Sequence, residues 1–137
     1  MLGALGQVVG DGPCPCGGGR GYAVCCGPLH RQERLAETAE ELMRSRYAAY
    51  VVRDFDHLVR TWHPRTRPAD IDADEGISWD GLEVVGTRAG GPDDEDGEVE
   101  FHARFRVGGQ RGQLHERSRF SRRAGRWVYV DKVDDAG

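Results

Sequence analysis

The spacing of apolar positions changes period near the middle of the chain. Between Thr38 and Trp62 they recur every three or four residues: Leu42, Met43, Tyr47 and Tyr50, with Arg46 in the same stripe, then Phe55, Leu58, Val59 and Trp62. Such spacing places each group on one face of a helix. Thr38-Ala39-Glu40-Glu41 has the form of a capping box, Thr38 as N-cap and Glu41 three residues on. A helix is predicted over 39–52. Asp54 can cap a second, shorter helix that Pro64 ends. Residues 65–76 are polar and aperiodic, and read as a loop or irregular helix.

From Ile77 the period is two. A strand is predicted over 77–87, with a bulge expected at Asp80-Gly81, followed by a glycine-rich acidic turn over 88–97. Asp93, Asp94, Glu95 and Asp96 in that turn read as a solvated hairpin loop. Val99, Phe101, Ala103, Phe105 and Val107 then alternate with Glu100, His102, Arg104 and Arg106, the pattern of a half-buried strand. Further strands are predicted over 114–120 and 127–133, with four-residue turns at 108–111 and 122–125. Two helices followed by a meander of about four antiparallel strands predict an α+β domain with the helices on one sheet face.

Composition narrows the class. The chain has 137 residues, 38% hydrophobic and 31% charged, with a net charge of −4. That suits one globular domain with a small appendage. No apolar run reaches the ~18 residues a membrane span needs. The N-terminal MLGALGQVVGDGP has no basic n-region and does not read as a signal peptide, so a cytoplasmic location is the expectation. Of the 19 basic residues all but Lys132 are arginine. The acidic balance argues against a dedicated nucleic-acid binder, although local basic patches can still attract anions.

All four cysteines lie in CPCGGGRGYAVCCG, residues 14–27. Two disulfides would require an oxidising compartment. Cys14-Pro15-Cys16 lacks the two-residue spacing of thioredoxin-like redox pairs. The remaining reading is a tetrahedral zinc site of four thiolates, Cys14 and Cys16 on one arm and Cys25 and Cys26 on the other. A site with four protein ligands has no open position and is structural. His30 is a spare ligand candidate. Gly27-Pro28 is expected to stop this element, and a linker from Leu29 to Glu37 to follow.

The C-x-C-x8-C-C spacing with its glycine-rich start resembles the SEC-C motif, a small zinc-binding tail of the preprotein translocase motor and of many other bacterial proteins. Cys14, Pro15, Cys16, Gly17, Gly19, Tyr22, Cys25, Cys26 and Gly27 stand at the motif positions. The rest of the chain, with LMRSRYAAYV, TWHP, EFHARF, ERSRF and RWVYVD, resembles the YchJ-like bacterial family. That resemblance implies a cone-shaped nuclear transport factor 2-like fold and a metal, and supplies no reaction. The chain is thus divided into a zinc knuckle over 1–28 and a nuclear transport factor 2-like domain over 29–137. A second SEC-C motif, which family members often carry at the C-terminus, is not present in this sequence.

Strand parity then sorts the chemistry. The four-residue turns set Phe105 opposite Leu114, Ala103 opposite Glu116, Glu100 opposite Arg119, Phe120 opposite Trp127, Ser118 opposite Tyr129 and Glu116 opposite Asp131. Glu116 and Asp131 therefore point toward the helices, where buried carboxylates require partners or protons. Arg46, on the facing helical stripe, is the expected partner, with His63 or Tyr47 also within reach. Two readings of this group stand side by side: a structural Arg–carboxylate network, or a pocket with Glu116 or Asp131 as general base, with Arg46 and His63 as further candidate residues. The opposite face carries His102, Arg104, Arg106, His115, Arg117 and Arg119, offset by Glu100, a stripe that can meet RNA, an acidic partner or solvent.

The expected function is that of a non-enzymatic binding or adaptor protein. Its knuckle would contact a protein partner through Arg20, Tyr22, His30 and Arg31. The rivals are a small-molecule-binding or hydrolytic enzyme using the cone and, more weakly, an RNA-associated protein.

Overall fold

The computed structural model describes residues 12–71 and 76–133. Three helices precede a four-stranded antiparallel meander. They are α1 (Gly27–His30), α2 (Ala39–Val52) and α3 (Phe55–Arg60). The strands are β1 (Ile77–Ala89), β2 (Asp96–Val107), β3 (Gln110–Arg123) and β4 (Arg126–Lys132), in the spatial order β1-β2-β3-β4.

α2 begins where the sequence places it. Thr38 Oγ1 accepts from Glu41 N at 3.0 Å, while the Glu41 carboxylate reaches past the N-cap to the amide of Glu37. Asp54 Oδ1 accepts from His57 N and caps α3. Leu42, Met43, Tyr47 and Val51 of α2 pack onto Val99, Phe101, Ala103, Phe120 and Trp127 of the sheet. The free edge of β4 is not left open. Thr61 and His63 pair with Tyr129, whose amide donates to Thr61 O and whose carbonyl accepts from His63 N, both at 2.8 Å. An unpaired edge invites association with other chains, and this segment covers it.

Four sequence readings are corrected. The turn between β2 and β3 is Gly108-Gly109, so the register slips by two: Ala103 lies opposite Leu114, Phe101 opposite Glu116, and Glu100 opposite Arg117. Because side chains alternate with period two, the faces are unchanged. The turn between β3 and β4 is likewise two residues long, Ala124-Gly125, and Phe120 faces Tyr129. Beyond that pair β4 carries a bulge at Val130, which sets Asp131 opposite Arg119 on the outer face. An extra residue in one strand inverts the facing of every residue after it. Finally, Pro28 opens α1 instead of closing the cysteine element. Proline lacks only an amide that the first helical turn leaves unbonded anyway. The bulge expected at Asp80-Gly81 is present at Asp80.

α2 is buried almost all round. Besides its sheet-facing stripe, Ser45, Ala48 and Ala49 are wholly enclosed. Ala48 packs among Cys14, Cys16 and Cys26, so the cysteine segment forms a cap on the side of α2 remote from the cone.

Candidate metal centre and cone cavity

The cap is folded by short backbone contacts. Cys14 N donates to Arg20 O and Tyr22 N to Gly12 O, closing a hairpin around Pro13 and Gly21. A single 3-10 turn, Tyr22–Val24, then delivers Cys25 and Cys26 beneath it. Gly27 packs so closely that a Cβ there would stand 2.7 Å from Tyr22 O. The four sulfur atoms end up within 4.8 Å of one another, with Cys16 and Cys25 3.6 Å apart. All four cysteines are free thiols.

A tetrahedral zinc–thiolate centre with bonds of about 2.3 Å has sulfur–sulfur edges of roughly 3.8 Å. The donor set fits such an ion. Gly18 leaves space beside the cluster, since a Cβ there would sit 3.2 Å from Cys16 Sγ and 3.7 Å from Cys25 Sγ. Without a cation the thiols compete for protons. Hydrogen bonds from Cys16 and Cys26 hold the Cys14 thiol well below its ordinary value, and the same crowding pushes Cys16 up to about 12 and Cys26 upward as well. A divalent cation removes that conflict by letting all four ionise.

Both ring nitrogens of His30 are engaged elsewhere. Its Nε2 lies 2.9 Å from Ser45 O and its Nδ1 2.6 Å from Tyr22 Oη. A carbonyl only accepts, so Nε2 donates to Ser45 O, while Nδ1 meets the tyrosine hydroxyl. His30 thereby ties the cap to α2, and Arg44 adds a bond to Cys16 O at 2.7 Å. Next to it His57, 3% exposed, lies 2.9 Å from Ser45 Oγ, whose own proton goes to Leu42 O. Burial, with His30, Arg60 and Arg46 nearby, lowers His57 to about 3, so the ring is neutral.

On the other side of α2, between the helix and the concave sheet face, lies a cavity of about 280 Å³. Its walls include Tyr47, Trp62, Trp79, Phe101 and Tyr129, with Arg46, Glu116 and Ser118 as polar groups. Arg46 is 6% exposed. Its Nη1 donates to Leu58 O at 3.0 Å and to Thr61 Oγ1 at 2.7 Å, and its guanidinium carbon lies 4.8 Å from the ring centres of both Trp62 and Tyr129. Burial lowers Arg46 to about 10, which leaves it charged at neutral pH. Among the described residues no carboxylate forms an ion pair with it.

The four candidate residues therefore separate. Arg46 and Glu116 line the same cavity without pairing. Burial raises the Glu116 carboxyl, with Lys132 the charge that opposes the shift. Asp131 lies outside the cavity and takes a bidentate pair from Arg119 at 2.7 and 2.6 Å. His63 turns away as well, its Nδ1 accepting from Arg65 N. The aromatic contact of Arg46 with Trp62 and Tyr129 escaped sequence reasoning. Trp62 lies beyond α3, and only its pairing with β4 brings it to the cation.

The outer stripe is largely neutralised by neighbouring strands. Arg106 pairs with Asp80, His115 with Glu100, Arg117 with Glu98 and Glu100, and His102 stands 3.5 Å from Glu83. Glu100 is thus one of several acids offsetting these residues.

A family model described as "YchJ, middle NTF2-like domain" matches residues 38–132. The chain belongs to this YchJ-like family. A UPF0225 protein of Streptomyces coelicolor is 52% identical over 119 residues, spanning 87% of this chain and 93% of the relative. A UPF0225 protein of Deinococcus radiodurans is 50% identical over 123 residues, spanning 89% of each. Among solved structures, a SEC-C motif containing protein from Rhodopseudomonas palustris superimposes with a TM-score of 0.78 at 42% identity, covering 88% of this chain and 96% of that one. A second SEC-C motif containing protein, from Psychrobacter arcticus, gives 0.67 at 31% identity over 86% and 80% of the two chains. The family is that of the resemblance read from the sequence, and the cysteine cluster sits in its SEC-C segment. No helix among the described residues is long and apolar enough to cross a membrane.

Proposed function

We propose that this protein is a non-enzymatic binding protein. One structural zinc ion, on Cys14, Cys16, Cys25 and Cys26, fastens the cap to α2, and the cone takes a small organic ligand. The observation that carries this reading is the cavity itself. It approaches the ~300 Å³ at which small-molecule sites begin, and it has the usual make-up of an apolar wall with few polar groups. Hydrolysis draws less support, because Glu116 is the one carboxyl group among the residues lining the cavity. The protein-partner role of the knuckle also draws less: Tyr22 and His30 face inward, Arg20 donates to Val24 O and Arg31 to Glu33.

The test is a screen of zinc-loaded protein against small neutral, anionic and cationic aromatic compounds, read by thermal shift and tryptophan fluorescence. Trp62 and Trp79 line the cavity and report occupancy. At least one class should bind saturably, and Leu114→Trp, which fills the cavity from β3, should abolish that binding. Binding that survives Leu114→Trp, or no binding of any class, overturns the reading.

A further inference from the structure

We propose that the ligand of the cone is a small aromatic monocarboxylate whose acid group pairs with Arg46. This deepens the small-molecule reading above and rests on it. Arg46 is a buried cation with no paired anion among the described residues. Removing a guanidinium from water is strongly unfavourable unless a partner compensates it. Here the compensation among described residues is two acceptors on one nitrogen, Nη1, and two aromatic faces. No side-chain nitrogen or oxygen among the described residues is both sealed from solvent and unbonded. The remaining donors of Arg46 are therefore not sealed from solvent, and the residue lines the cavity. A planar guanidinium with free donors is matched by a carboxylate. Its position is fixed in advance by Leu58, Thr61, Trp62 and Tyr129, so a ligand meets it already oriented.

The rest of the cavity sets the body of that ligand. Tyr47, Trp79 and Phe101 offer flat apolar walls, and Tyr47 and Trp79 already meet edge to face with ring centres 6.2 Å apart. An aromatic ring among such walls gains stacking beyond simple burial. The volume, about 280 Å³, admits a single ring with short substituents and not a long chain. Glu116 sets the charge. Its carboxyl lines the same space and pairs with no cation within salt-bridge distance among the described residues, so a second ligand carboxylate would meet a like charge. Hence a monocarboxylate is favoured and a dicarboxylate is refused.

The experiment titrates intact zinc-loaded protein with benzoate, benzyl alcohol, benzamidine and terephthalate, following tryptophan fluorescence. Benzoate should bind at least tenfold tighter than each of the other three. Arg46→Met, which keeps the aliphatic stem, should weaken benzoate at least tenfold and leave benzyl alcohol unchanged. Should Arg46→Met fail to fold by circular dichroism, Glu116→Gln decides. It should raise terephthalate affinity at least tenfold toward that of benzoate, and unchanged selectivity overturns the inference. Benzyl alcohol or benzamidine binding as tightly as benzoate also overturns it, while leaving the cone as a ligand site. Loss of every probe removes both readings.

Discussion

The two sides of α2 are built on opposite terms. On the cap side the polar groups close on one another: Tyr22 to His30, His30 to Ser45 O, Ser45 to His57, Arg44 to Cys16 O. Small residues, Ser45, Ala48 and Ala49, let the backbones approach, and among the described residues no sealed side-chain nitrogen or oxygen there is left unbonded. On the cone side the side chains are large, the space between them is open, and one cation has no paired anion among the described residues. A closed polar network fixes one arrangement, because breaking any bond leaves a buried group unsatisfied. An open cavity with a charge left unpaired among its neighbours does the reverse and leaves that interaction available. The lesson is that the proposed metal and ligand sites would divide stability from recognition across a single helix.

That division is broken most directly at the metal. Purified protein should contain one zinc per chain, and Cys26→Ser should lose it. Because the cap encloses Ala48 and supplies the partners of Ser45 and Arg44, loss of zinc should also lower the midpoint of thermal unfolding by well over 10 °C, as several kcal/mol of metal-linked folding energy disappears. Metal analysis and calorimetry on wild type and variant measure both. A variant without zinc but with an unchanged melting profile would show the cap to be an independent appendage.

The next effect is smaller and depends on pH. His57 is depressed from its ordinary value near 6.5 to about 3, so between those values the unfolded chain binds a proton that the folded one refuses. Stability is fully present above pH 6.5 and falls as the pH drops toward 3, by at most about 1.4 kcal/mol per unit. Urea denaturation at pH 7.5 and pH 5 should show this fall in wild type and a flatter dependence in His57→Gln. Zinc content measured at each pH separates the histidine from acid release of the metal. Equal pH slopes in the two proteins would remove His57 as the cause.

The smallest effect belongs to the outer face. Arg106 is fully exposed and paired with Asp80. Arg106→Ala should leave the denaturation midpoint within error of wild type, since exposed ion pairs contribute little. The same stripe should show no saturable RNA binding at low ionic strength, its charges being largely matched across strands. Tight, steeply salt-dependent RNA binding would contradict that balance.

Much of this protein was determined by local sequence. Thr38 and Glu41 mark the start of α2, and the alternation from Val99 to Val107 marks β2, because helix caps and strand pleats depend on residues a few positions apart. The C-x-C-x8-C-C spacing likewise assembles the sulfur cluster from neighbouring residues. What lay beyond the sequence were matters of register and long-range closure. A single extra residue at Val130 moved Asp131 from the cone to the outer face, and strand parity cannot register a bulge that no glycine or turn signal announces. The cap's burial of α2 was equally hidden, because a face of serine and alanine looks solvent-facing until another segment packs on it. Arg46 shows the division most clearly. Helical period placed it on the inner stripe, but its partners proved to be Leu58, Thr61, Trp62 and Tyr129, groups from α3, the segment after it and β4. Whether a buried cation meets a carboxylate or an aromatic cage is decided by which distant segments arrive beside it, and only the tertiary structure brings them there.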